Sequence, residues 1–89
     1  MFTFILEFRG GTYVSQVHST ILTKAIIDWG KELQSIDIKH LGLTGKTEIL
    51  SMLNKAEPIA LDGLKNVWFL SLSIRQGFLS INIVKTVTQ

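Results

Sequence analysis

A chain of 89 residues without cysteine is too short for a second independent core, and it can carry neither a disulfide framework nor a thiolate ligand or nucleophile. Hydrophobic residues reach 46% and charged residues only 18%, so more apolar surface is present than one small core readily hides, and a partner surface is expected. The formal charge is +2, and the lysines and arginines are scattered from Arg9 to Lys85 without forming a basic stripe, a pattern that disfavours nucleic acid as the partner.

The run from Met1 to Arg9 lacks a basic n-region, and Glu7 and Arg9 interrupt its apolar residues before a signal-peptide core could form. The longest uninterrupted apolar stretch, Val67 to Leu70, falls far below the roughly 18 residues of a membrane span. The expectation is one soluble, cytoplasmic domain over residues 1–89 that makes no membrane contact.

From Phe2 to Phe8 the chain alternates, with Phe2, Phe4, Leu6 and Phe8 on one side and Thr3, Ile5 and Glu7 on the other, the pattern of a half-buried strand. Gly10-Gly11 and the β-favouring run Thr12 to His18 follow, which predicts a hairpin because glycine accepts the positive φ of a primed turn. A two-residue loop at Gly10-Gly11 would set Phe8 opposite Tyr13, Leu6 opposite Ser15 and Phe4 opposite Val17.

Ser19 and Thr20 are candidate N-caps for a helix whose apolar stripe is Leu22, Ala25, Ile26, Trp29 and Leu33. Lys24 and Asp28 fall off that stripe as an i,i+4 pair, worth a few tenths of a kcal/mol at most. Gly30 should weaken the helix by roughly 1 kcal/mol relative to alanine, so packing through Trp29 must hold it.

Residues 36–46 contain Gly42 and Gly45 and read as an irregular connection. Thr47 to Lys55 predicts a second, short helix with Ile49, Leu50 and Leu53 inward, ended by Pro58. Ile59 to Leu61 suits a short edge strand before an Asp62-Gly63 turn. In the last third Trp68, Leu70, Leu72 and Ile74 alternate before Gln76-Gly77, and Leu79, Ile81 and Ile83 alternate after it, a second hairpin whose seven apolar residues share a face. With the loop at Gln76-Gly77, Leu72 would oppose Ile81 and Leu70 would oppose Ile83. The other side carries Ser71, Ser73, Ser80 and Asn82, interrupted by Phe69 and Val84, as Ile5 and Val14 interrupt the outer side of the first hairpin.

No motif commits the chain to chemistry. Gly45-Lys46-Thr47 suggests a phosphate-binding loop from Gly42 to Thr47, but His40 stands where the P-loop pattern requires its first glycine. Neither His18 nor His40 is followed at i+3 or i+4 by a histidine or carboxylate that would make a metal pair. No nucleophile elbow accompanies the many serines, and neither a catalytic residue nor a cofactor is assigned. The aromatics that could stack nucleic-acid bases, Phe2, Phe4 and Phe8, occupy the face that reads as core.

Within residues 12–33 the passage Val14-Ser15-Gln16, Ser19-Thr20, Ala25 and Trp29 resembles the strand-to-helix stretch of HicB-type antitoxins. That resemblance implies a small α+β domain that neutralises an RNA-cleaving toxin. The Asp-x-Pro-Gly stretch typical of that family is absent, and no functional residue carries over.

The pattern as a whole predicts an α+β fold of order β-β-α-(α)-β-β, with two hairpins in one mainly antiparallel sheet and the Trp29 helix across its apolar face. The expected role is a noncatalytic interaction module that binds a second copy or another protein. Phe69, Ser71, Ser73, Ser80, Asn82 and Val84 are its candidate contact surface. An antitoxin-like regulator and a small phosphate-binding protein using Gly45, Lys46 and Thr47 are the rival readings.

Overall fold

Residues 1–86 are described by the computed structural model, beginning with β1 (Phe2–Phe8), which buries Phe2, Phe4, Leu6 and Phe8 and turns Thr3, Ile5 and Glu7 the other way. β2 (Gly11–Val17) returns antiparallel to it. The loop is Arg9-Gly10, not Gly10-Gly11. Both loop residues have positive φ, 49° and 83°, as a type I′ turn requires at its two central positions. Gly11 instead opens β2, where an added Cβ would lie 2.7 Å from the Tyr13 hydroxyl oxygen, so the close ring explains this glycine. Phe8 therefore pairs with Gly11, Leu6 with Tyr13, Phe4 with Ser15 and Phe2 with Val17. The shift from the expected pairing is two residues, which preserves side-chain parity and leaves the face assignment intact.

α1 (Leu22–Glu32) buries Ala25, Ile26, Trp29 and Gly30, and Leu33 just beyond its end is buried too. Trp29 stacks on Phe4 with ring centroids 5.2 Å apart and planes 7° from parallel, fixing the helix to the sheet. Lys24 and Asp28 form their i,i+4 ion pair at 2.7 Å. Capping departs from expectation. Ile21 occupies the N-cap position without a side-chain bond, while Ser19 Oγ accepts from the Ile21 N–H at 3.2 Å and contacts the Ile21 carbonyl at 3.1 Å. Ser19 thus closes a turn ahead of the helix, a local bond that competes with capping.

A single 3-10 turn at Ser35–Asp37 precedes α2 (Gly42–Leu53). This helix begins at Gly42 rather than Thr47 and stops at Leu53 rather than Lys55, so much of the expected irregular connection is helical. The chain breaks earlier, at His40 and Gly42, whose φ values are 71° and 68°. Gly45 is buried inside the helix, where a Cβ would come within 2.7 Å of Leu41 Cδ1. Gly30 has a related role, because a Cβ there would collide with Leu53 Cδ1 and lie 3.1 Å from Leu50 Cδ2. The propensity lost at Gly30 thus accompanies a close approach of α1 to α2.

β3 (Ile59–Ala60) is a two-residue edge strand, one residue shorter than expected. The Asp62-Gly63 turn follows, with Gly63 at φ 77° and the Leu64 N–H donating to the Leu61 carbonyl at 3.2 Å. β4 (Val67–Ile74) and β5 (Gly77–Lys85) form the second hairpin through Arg75-Gln76 instead of Gln76-Gly77. Leu72 accordingly opposes Leu79, and Leu70 opposes Ile81, again a two-residue shift that keeps parity. Gly77, at φ 147°, is placed where a Cβ would be 3.2 Å from the Phe8 ring, which accounts for glycine at this corner.

The five strands make one wholly antiparallel sheet in the order β2-β1-β5-β4-β3, with the first and last strands adjacent at its middle. α1 lies against β1 and β2, and α2 lies against α1 and β4. Their buried residues join the inward faces of the strands in one cluster that contains Phe4, Trp29 and Ile81 together. As the order β-β-α-(α)-β-β implies, the second helix joins the Trp29 helix in covering that face.

Candidate interaction surface

With both helices on one side, the opposite side of the sheet is bare, and its composition follows from register. Val14, Ile5, Asn82, Phe69 and Ile59 stand directly beside one another, one from each strand in sheet order. Four of the five are large and apolar, and Val14 and Ile59 are each 63% exposed. Asn82 is the polar residue at the centre of this row. Gln16, Thr3, Val84 and Val67 form the row on one side of it, and Thr12, Glu7, Ser80 and Ser71 form the row on the other. Phe78 and Ser73 pair beyond them. Among the outward strand positions described, Glu7 is the one charged residue.

The structure therefore brings Phe69, Ser71, Ser73, Ser80, Asn82 and Val84 onto one continuous surface, shared by β4 and β5. Phe69, Ser80, Asn82 and Val84 are half-buried by their neighbours, whereas Ser71 and Ser73 are exposed. Sequence reasoning placed Ile5 and Val14 on the outer side of their own hairpin but did not join them to this surface. The missing signal was strand order, since β1 meets β5 only across the whole length of the chain. At the margin, Gln16 Nε2 donates to Thr3 Oγ1 at 3.1 Å, and Thr3 Oγ1 lies 3.4 Å from Thr86 Oγ1.

Gly45, Lys46 and Thr47 do not form a loop. All three lie inside α2, where a backbone N–H is directed to the carbonyl four residues earlier rather than to a ligand. Lys46 Nζ donates to the Lys31 carbonyl in the last turn of α1 at 3.0 Å, and Thr47 Oγ1 donates to the Leu43 carbonyl at 2.9 Å. The lysine satisfies a carbonyl at a helix end, where a cation is also favoured by the dipole. His18 and His40 are exposed, at the ends of different elements. No group of three or more His, Cys, Asp or Glu residues is arranged to hold a metal among the described residues. No helix of the described residues is long and apolar enough to cross a membrane.

Such an arrangement defines a two-layer α+β domain with one helix-covered and one open sheet face. Comparison of the chain with protein-family models, with curated proteins and with solved structures found no match, so the functional reading rests on its own geometry.

Proposed function

We propose that this chain is a noncatalytic interaction module that self-associates by packing its outer sheet face on that of a second copy. One observation carries the reading: a five-stranded face whose central row is Val14, Ile5, Asn82, Phe69 and Ile59 presents Glu7 as its single charge among the described strand positions. A solvated sheet face ordinarily carries polar residues outward, whereas here a largely apolar row with Asn82 at its centre is flanked by Val84 and Val67 on one side and by hydroxyls with a single carboxylate on the other, a feature of contact surfaces. Five strands spaced about 4.8 Å apart give a face roughly 20 Å wide, and seven residues at about 3.3 Å each give it a comparable length. That footprint, roughly 450 Å² per copy, is at the low end for specific contacts, and face-to-face packing would bring the two sheets to about 10 Å separation.

Asn82 would lie near the middle of such a contact, where an amide can pair with its symmetry mate and set the register. Sedimentation or light scattering from micromolar concentration upward should show a dimer, and Asn82→Lys should return it to monomer by placing like charges in the contact. A strict monomer across that range would remove the self-association reading.

A further inference from the structure

The two edges of the sheet differ, and that difference locates a second site. β2 pairs with β1 through a two-residue loop, so Gly11, Tyr13, Ser15 and Val17 exchange hydrogen bonds with β1 while Thr12, Val14 and Gln16 turn their N–H and C=O groups outward. β2 is the outermost strand, and its seven residues contain no charge and no proline, the devices that ordinarily block pairing at an edge. The opposite edge is β3, two residues long and preceded by Glu57 and Pro58; it covers only Trp68 and Phe69, so Ser71 and Ser73 of β4 also turn backbone groups outward there, and the grooves beside the two edges tell them apart.

Beside the β2 edge runs a groove of about 430 Å³ between the strand and the end of α1. Trp29, Leu33 and Ile38 form its apolar floor, and Glu32 and Asp37, both exposed, supply its charge. No lysine, arginine or histidine lines it. The corresponding groove beside β4 holds Lys55 and Glu57 together and has no such bias.

We propose that the β2 edge and this groove form a docking site for an extended peptide segment that adds a sixth strand. The segment would place an apolar side chain on the Trp29–Ile38 floor, with lysine or arginine two residues to either side facing Glu32 and Asp37. Main-chain bonds to Thr12, Val14 and Gln16 supply the pairing, and the groove selects alternate side chains. A second copy of β2 fits less well, because that strand brings no cation to the two carboxylates. The site uses the edge backbone and the helix side of the sheet, so it does not depend on outer-face self-association, which sedimentation reads separately.

The probe is a heptapeptide with leucine at its centre, lysine two residues to either side and threonine elsewhere, titrated into isotopically labelled protein. Saturable amide shifts at Thr12, Val14 and Gln16 are expected. Affinity should fall about tenfold in the double variant Glu32→Gln, Asp37→Asn, and should weaken as salt rises from about 0.02 to 0.3 M. Val14→Pro, which removes an outward N–H and leaves the β1 ladder intact, should abolish binding while the remaining spectrum is kept. The proposal fails if no saturable shift is seen to millimolar peptide, or if the shifts fall on outer-face residues of the interior strands, such as Ile5, Asn82 and Phe69, instead of on β2. It also fails if a peptide with glutamate in place of lysine binds equally. Concentration-dependent protection of the three amides without peptide would assign the edge to a second copy and overturn it as well.

Discussion

The same five strands present two unlike faces. On the inner face, Phe4, Leu6, Leu79, Ile81 and Ile83 are essentially inaccessible and meet Trp29, Ile49 and Leu53 from the helices. On the outer face the apolar residues are fewer, and they gather because Val14, Ile5, Phe69 and Ile59 come from four strands at the same level of the sheet. The inner face is produced by periodicity within each strand, so it tolerates a register error of two residues. The outer row is produced by register between strands and would be dispersed by the same error.

Three substitutions and one control separate these two kinds of organisation. Trp29→Ala should have the largest effect, about 3 to 5 kcal/mol of stability in a denaturant titration, since it removes the ring stacked on Phe4 from the centre of the core. An unchanged midpoint would mean that α1 is not the anchor of the inner face. Gly30→Val should cost about 1 to 3 kcal/mol, because its side chain would enter the space held by Leu53 and Leu50 between the helices. Retained stability there would show that α1 and α2 can separate without harm to the core.

The outer face should respond in the opposite way. Phe69→Lys should leave the thermal midpoint of the dissociated chain nearly unchanged, within about 0.5 to 1 kcal/mol, while it abolishes association in sedimentation. Loss of folding instead of association would make the outer row part of the core's support. Smallest of all, Lys24→Ala should cost about 0.3 to 0.5 kcal/mol, since its ion pair with Asp28 is largely solvated. A loss several times larger would require the pair to support α1 against the sheet.

Much of this architecture was legible in the residues. The alternation at Phe2 to Phe8 and Trp68 to Ile83, the 3.6-residue spacing of Ala25, Ile26, Trp29 and Leu33, and the inward Ile49 and Leu53 placed most of the core, but not Ile38 and Leu41, which are buried within the segment read as an irregular connection. The glycines were harder to read. Gly11, Gly30, Gly45 and Gly77 each stand where a side chain would meet another part of the molecule, Tyr13, Leu53, Leu41 and Phe8 respectively. A glycine used for close approach and a glycine used for a turn look alike in sequence, so the two hairpin loops were placed one residue late and the start of α2 was placed too far along. The hydroxyl side of the second hairpin was also legible, but its continuation onto β1 and β2 was not.

Side-chain period is a local property, fixed by the geometry of a strand or a helix, so the sequence by itself determined which residues enter the interior and that two hairpins enclose a helical segment. The order β2-β1-β5-β4-β3, the closeness of α1 to α2 and the gathering of Ile5 with Asn82 and Phe69 were decided only in the tertiary structure. Those features depend on pairings between distant segments, which are selected by how well whole elements fit against one another rather than by any residue's own preference.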